Sequence, residues 1–212
     1  MLFGGDYRRA ADAALGVLLG QPHWRTFQAR VLGPWLVDVL SSVMPSFLAA
    51  HIAFSLLTLW AMGFLSWRLG WRLGSKLGAG MLGLFVFQAS FAFILSPPWL
   101  YAWDYVDIIV FLLFVDFVVG GRSWPWFVVL LSVGVYSRET SAFIALWMVL
   151  EGAYRLRAQR TRTADERRHD LGMLIAGLVC MVLSVVIFET ITRMLFIQEI
   201  GPKIFSDVPG EG

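Results

Sequence analysis

The sequence predicts an all-α fold, a polytopic bundle of transmembrane helices, and three observations lead there. Of 212 residues, 58% are hydrophobic and only 15% charged, with a mean hydropathy of +0.70, far from the balance of a water-soluble domain. Four apolar runs approach the roughly 20 residues that a helix needs to cross a ~30 Å hydrocarbon core. Seventeen Phe and ten Trp supply the rings that favour lipid contact and membrane interfaces. The formal charge of +2 gives no basis for a nucleic-acid partner. A single cysteine, Cys180, excludes an intrachain disulfide and a Cys-based metal cluster.

Residues 1–45 form an external N-terminal segment. Its first 20 residues make neither a signal peptide nor a span, because Asp6, Arg8, Arg9 and Asp12 interrupt them. The stretch "WRTFQARVLGPWLVDVL" then repeats Val31, Leu32, Trp35, Leu36, Val39 and Leu40 at helical spacing. That pattern predicts an amphipathic helix lying flat on the outer surface of the membrane, with Gly33 and Pro34 at its start or at a bend.

Residues 46–197 form the transmembrane domain, with spans expected at 46–66, 77–95, 100–119 and 171–191, and residues 198–212 form an external tail. Tryptophans mark the ends of these runs at Trp67 and Trp71, Trp99 and Trp103, Trp124 and Trp126. Lys and Arg gather in short cytoplasmic loops, which assigns to that side Arg68, Arg72 and Lys76, then Arg122, then the six arginines from Arg155 to Arg168. Gly74, Gly78, Gly80 and Gly83 would let two helices approach closely. "TADERR" reads as a capping box, with Thr163 and Glu166 opening the helix that leads into the last span.

Between the loops at Arg122 and Arg155 lies an apolar region, 124–150, that must enter and leave from the same face. Two ordinary crossings would take about 40 residues, so the region predicts a short helical hairpin or broken re-entrant pair with "SRET", Ser137 to Thr140, at its tip. Irregular backbone at membrane depth persists only where protein or a watery cavity covers it. Arg138 and Glu139 should therefore face a cavity, with Ser137 or Thr140 capping the second arm. Intramembrane charge is expensive and marks a functional site by default, although mutual neutralisation within the packing is the competing account.

Asp104 and Asp107 begin the third span on its outer side, three apart and hence on one helical face. They could share a divalent cation or act as acid and base, or simply be wetted residues of a first turn. Asp116 reads as a polar contact near the inner interface. His51 is a weak ligand candidate, more simply a hydrogen-bonded packing residue.

The order of "FQARVLGPWL", "WDYVDIIVFLL" and "VYSRETSAFIAL" resembles the front half of bacterial integral-membrane proteins of the GT-C glycosyltransferase superfamily, in their uncharacterised branches. The similarity runs from about residue 6 to 193. It implies a sugar transferred at the outer face of the bacterial inner membrane from a polyprenyl-phosphate-linked donor. It also implies a catalytic acid in the first external loop, where Asp6 is the match and Asp12 the second choice. Arg30 and Arg138, with Glu139 beside it, would then hold the lipid phosphate. Members of the superfamily are about twice as long, so the chain is expected to be an N-terminal half or truncated form. The alternative function is a non-catalytic subunit of a larger membrane complex. Expected partners are membrane lipids, the lipid-linked sugar and, under the alternative, another membrane subunit.

Overall fold

The computed structural model describes residues 6–20, 30–94, 101–158 and 163–195, and all regular structure among them is helical. Eight α-helices follow in order: α1 (Asp6–Leu18), α2 (Leu32–Ser41), α3 (Phe47–Gly74), α4 (Leu77–Ile94), α5 (Ala102–Val119), α6 (Trp124–Gly134), α7 (Ala142–Ala158) and α8 (Ala164–Leu195). A 3-10 turn, Glu139–Ser141, leads into α7.

Two helices are long and apolar enough to cross a membrane, Phe47–Gly74 and Ala164–Ile191. Among the described residues the other two expected spans do not reach that standard. Three aspartates fall within the 18 residues of α5, and the apolar stretch of α4 with described side chains ends at Ser90. The expectation of four full spans is thus met for two.

Ser46 starts α3 by accepting a hydrogen bond from the Ala49 amide at 3.2 Å, which satisfies one of the donors a helix start leaves open. The helix continues well past residue 66 to Gly74. Arg68 and Arg72, expected in a loop, are helical and, at four apart, lie on one face. At the head of α8, the Thr163 amide donates to Glu166 Oε2 at 2.9 Å while the Glu166 amide donates to Thr163 Oγ1 at 3.3 Å. This is the reciprocal cap that the sequence predicts.

The main core gathers Val37, Ala50, Phe54, Met62, Val106, Val110, Phe127, Ile144 and Met148 from α2, α3, α5, α6 and α7. Helices α3 and α4 approach so closely that a Cβ at Gly83 would stand 2.6 Å from the Ser66 carbonyl oxygen. Gly80 and Gly83 serve the role predicted for them, whereas Gly78 faces open space. Helix α1 was not foreseen. Its small residues Ala10, Ala11, Ala13, Ala14 and Val17 are buried, and Ala13 and Val17 cover Trp103 at the start of α5.

Helix α2 packs its small residues inward and leaves part of its apolar face open. Gly33, Pro34 and Val37 face inward, while Trp35 and Val39 are exposed. A side chain at Gly33 would run into the Ala102 carbonyl, so the glycine lets the backbones of α2 and α5 meet.

The hairpin of α6 and α7 enters and returns at one end of the bundle, since Ser123 before α6 and Glu151 and Arg155 late in α7 line a common cavity. Its tip reaches the end of the bundle where α2 and α5 begin. The Ser137 hydroxyl donates to the Trp103 carbonyl at 3.1 Å, and the Leu32 amide donates to the Tyr136 carbonyl at 3.0 Å. The turn is therefore level with the first residues of both α2 and α5. Neither Ser137 nor Thr140 caps the second arm: no side chain caps the 3-10 turn, and both hydroxyls bond elsewhere.

Candidate functional site: a charge cluster at the hairpin tip

Three segments distant in sequence converge where α5 begins. Arg138 Nη1 lies 3.3 Å from Asp104 Oδ1 and 3.7 Å from Asp107 Oδ2. Arg30 Nη2 donates to Glu139 Oε1 at 3.0 Å, across 109 positions of chain. Thr140 Oγ1 donates to Asp107 Oδ1 at 3.0 Å.

Local structure aims each of these groups. Asp104 and Asp107 share a face in the first turns of α5, and Asp104 Oδ2 also accepts the Tyr101 amide at 3.1 Å, which closes the helix start. Arg138 is extended, with φ −163° and ψ 145°, so its side chain leaves the hairpin axis and crosses to α5. Glu139, one residue on, turns to Arg30 instead. The ring of Tyr101 stacks on Trp103 at 4.6 Å, which walls one side of the cluster.

Fully ionised, the cluster holds two cations and three carboxylates. Burial is uneven: the side chains of Asp107 and Arg30 are 11% and 13% exposed, those of Arg138 and Glu139 33% and 45%. The aspartates thus sit in the wall while the Arg138–Glu139 tip touches solvent. Arg138 Nε is buried and has no hydrogen-bond partner among the described residues, a donor that an incoming acceptor oxygen could use.

The predicted residues Arg30, Asp104, Asp107, Arg138 and Glu139 therefore lie together. Asp12 is exposed on α1. Asp6 opens α1, but its side chain falls outside the described residues. For a divalent ion, the aspartate pair offers two carboxylates that already share a guanidinium, and among the described residues no group of three His, Cys, Asp or Glu side chains is placed to hold a metal. A bound cation would have to displace Arg138.

A second charged group forms around Asp116, expected only as a polar contact near the inner interface. Asp116 is fully buried, and Arg68 Nη2 and Arg72 Nη1 each lie 3.1 Å from its carboxylate oxygens. These are close ion pairs that lack hydrogen-bond alignment, whereas Arg72 Nη1 does donate to the Asp116 main-chain carbonyl at 2.8 Å. The spacing in "WRLGWRLG", four residues from Arg68 to Arg72, was the available signal. Thr140 as a partner of Asp107 was likewise missed, and nothing local to "SRET" discloses it. His51 is buried within α3.

Comparisons of the chain with protein-family models, with curated proteins and with solved structures find no match.

Proposed function

We propose that the chain is a membrane-embedded transferase, or half of one, that moves a sugar from a polyprenyl-phosphate-linked donor at the outer face of a bacterial inner membrane. The observation that carries the proposal is the convergence on α5 of Arg138 with Asp104 and Asp107, together with the unpartnered buried Nε of Arg138. Helices α3, α4, α5 and α8 are its four spans and the α6–α7 pair its re-entrant hairpin.

Here Arg138 is a placeholder. A donor phosphate entering the cluster takes over the guanidinium, which binds phosphate oxygens through parallel N–H donors, and releases Asp104 or Asp107. The freed carboxylate accepts the proton of the acceptor hydroxyl as its oxygen attacks the sugar anomeric carbon. The bond from that carbon to the phosphate oxygen breaks, and polyprenyl phosphate leaves with the electron pair. Arg138 and Arg30 stabilise the charge that grows on it. Asp6, at the head of α1, is the further candidate base that the GT-C resemblance implies.

The test is reconstitution of the full chain in proteoliposomes with a panel of polyprenyl-phosphate-linked hexoses and pentoses, reading released polyprenyl phosphate by mass spectrometry. Asp104→Asn or Asp107→Asn should lower release by about 10²-fold or more. A second reading, a non-catalytic subunit of a larger membrane complex, is favoured by the fact that each of the three acids in the cluster has an arginine partner. It predicts no release from any donor, and effects of these variants on stability and co-purification alone.

A further inference from the structure

The far end of the bundle carries a polar cavity of different character. It encloses about 420 Å³ and presents Arg122, Ser123, Glu151, Arg155 and His169. That size falls within the ~300–1,000 Å³ of small-molecule sites. Phe117 and Val118 also line it, roughly 20 Å along α5 from Asp104 at 1.5 Å per residue.

The polar lining is rich in donors and short of free acceptors. Glu151, the acid in it, is taken by Arg155, whose Nε donates to Oε1 at 2.7 Å, leaving the two Nη groups of Arg155 for another acceptor. The Arg122 side chain makes no ion pair or hydrogen bond among the described residues. Its backbone, by contrast, is held. The Arg122 amide donates to the Phe117 carbonyl at 2.9 Å and Gly121 adopts φ +61°, a left-handed helix ending that glycine accepts without strain. The side wall is aromatic, with Phe127 and Trp147 centroids 4.8 Å apart.

We propose that this cavity binds a phosphate oxyanion, held by Arg122, Arg155 and His169 with the Ser123 hydroxyl as a further donor. Arginine forks match phosphate geometry, and either form of an imidazole supplies an N–H. The adjoining half-buried Trp147 suits an ester that carries an apolar group. In contrast to Arg138, Arg122 needs no carboxylate displaced before it can engage. The site does not depend on the transferase reading. The phosphate can come from a lipid headgroup or from a free phosphate compound.

The full chain, purified in a neutral maltoside detergent, is titrated with phosphatidic acid in mixed micelles and, separately, with inorganic phosphate, and bound ligand is read by native mass spectrometry and ³¹P line broadening. Arg122→Glu should weaken binding by about tenfold or more, the loss expected for a charge-assisted hydrogen bond, and Arg122→Lys by less. Arg157→Glu, on an exposed residue of α7 outside the cavity, should leave binding unchanged. Binding of phosphatidic acid that excess inorganic phosphate fails to displace identifies a headgroup as the source; displacement identifies free phosphate. The proposal is overturned if neither probe binds, or if Arg157→Glu weakens binding as much as Arg122→Glu. Because Arg122 is exposed and unpaired, its variants should keep the circular dichroism of the parent, so a loss of binding reports on the cavity.

Discussion

Removing the carboxylate of Asp116 leaves two guanidiniums facing a site with no anion between them. Taking one partner from a buried ion pair costs about 3–5 kcal/mol. The arginine side chains remain 35% and 26% exposed, so they are partly screened and can swing their heads outward, which lowers the expected cost of Asp116→Ala to about 2–3 kcal/mol. For a chain of this size that is a fall in Tm of about 4–12 °C. The lone thiol, Cys180, is buried in α8, so a thiol-reactive fluorophore reports unfolding without further labelling. Replacing all three charges, as Arg68→Met, Arg72→Met and Asp116→Leu together, should recover at least half of the loss, since apolar residues of similar volume substitute well for buried ion groups. A drop of less than about 2 °C for Asp116→Ala, or a triple variant less stable than the single one, would refute this account.

The hairpin tip should loosen in Arg138→Ala, by about 1–2 kcal/mol given its partial exposure, seen as faster hydrogen exchange over residues 135–141; unchanged exchange would show that Ser137 and Leu32 hold the tip unaided. Gly83→Val should cost about 1–3 kcal/mol by forcing α3 and α4 apart, and thermal denaturation at or above the parent value would disprove their close approach. In a Cys180→Ala background, Ser123→Cys and Ala158→Cys should react with an impermeant maleimide from the same side of sealed vesicles. Labelling from opposite sides would contradict the re-entrant arrangement.

Composition and apolar run length made the helical class legible, and charge inside an apolar run drew attention to Arg138 and Glu139. Their partners were legible to a lesser degree. Asp104 and Asp107 announce a shared helix face, but that Arg138 stands 34 residues on and within 3.3 Å follows from how far the hairpin reaches, which depends on packing. The pairing of Arg68 and Arg72 with Asp116 is hidden in the sequence because clustered basic residues suggest a loop, while α3 extends through them. Helix α1 was hidden for a related reason: Asp6, Arg8, Arg9 and Asp12 break its apolar run, yet alanines between them make a narrow buried face. The close approach of α2 to α5 at Gly33 depends on packing, which hydrophobic periodicity does not register.

The contact between Arg30 and Glu139 spans 109 positions, and this has a consequence for biosynthesis. A ribosome making the chain delivers Arg30 and the paired aspartates of α5 long before their counterparts exist. Until the hairpin emerges, those acids must wait among water, lipid or translocation machinery, so the cluster can assemble only as a late event. Slowed elongation just before residue 137 would lengthen that wait and should favour degradation of the nascent protein.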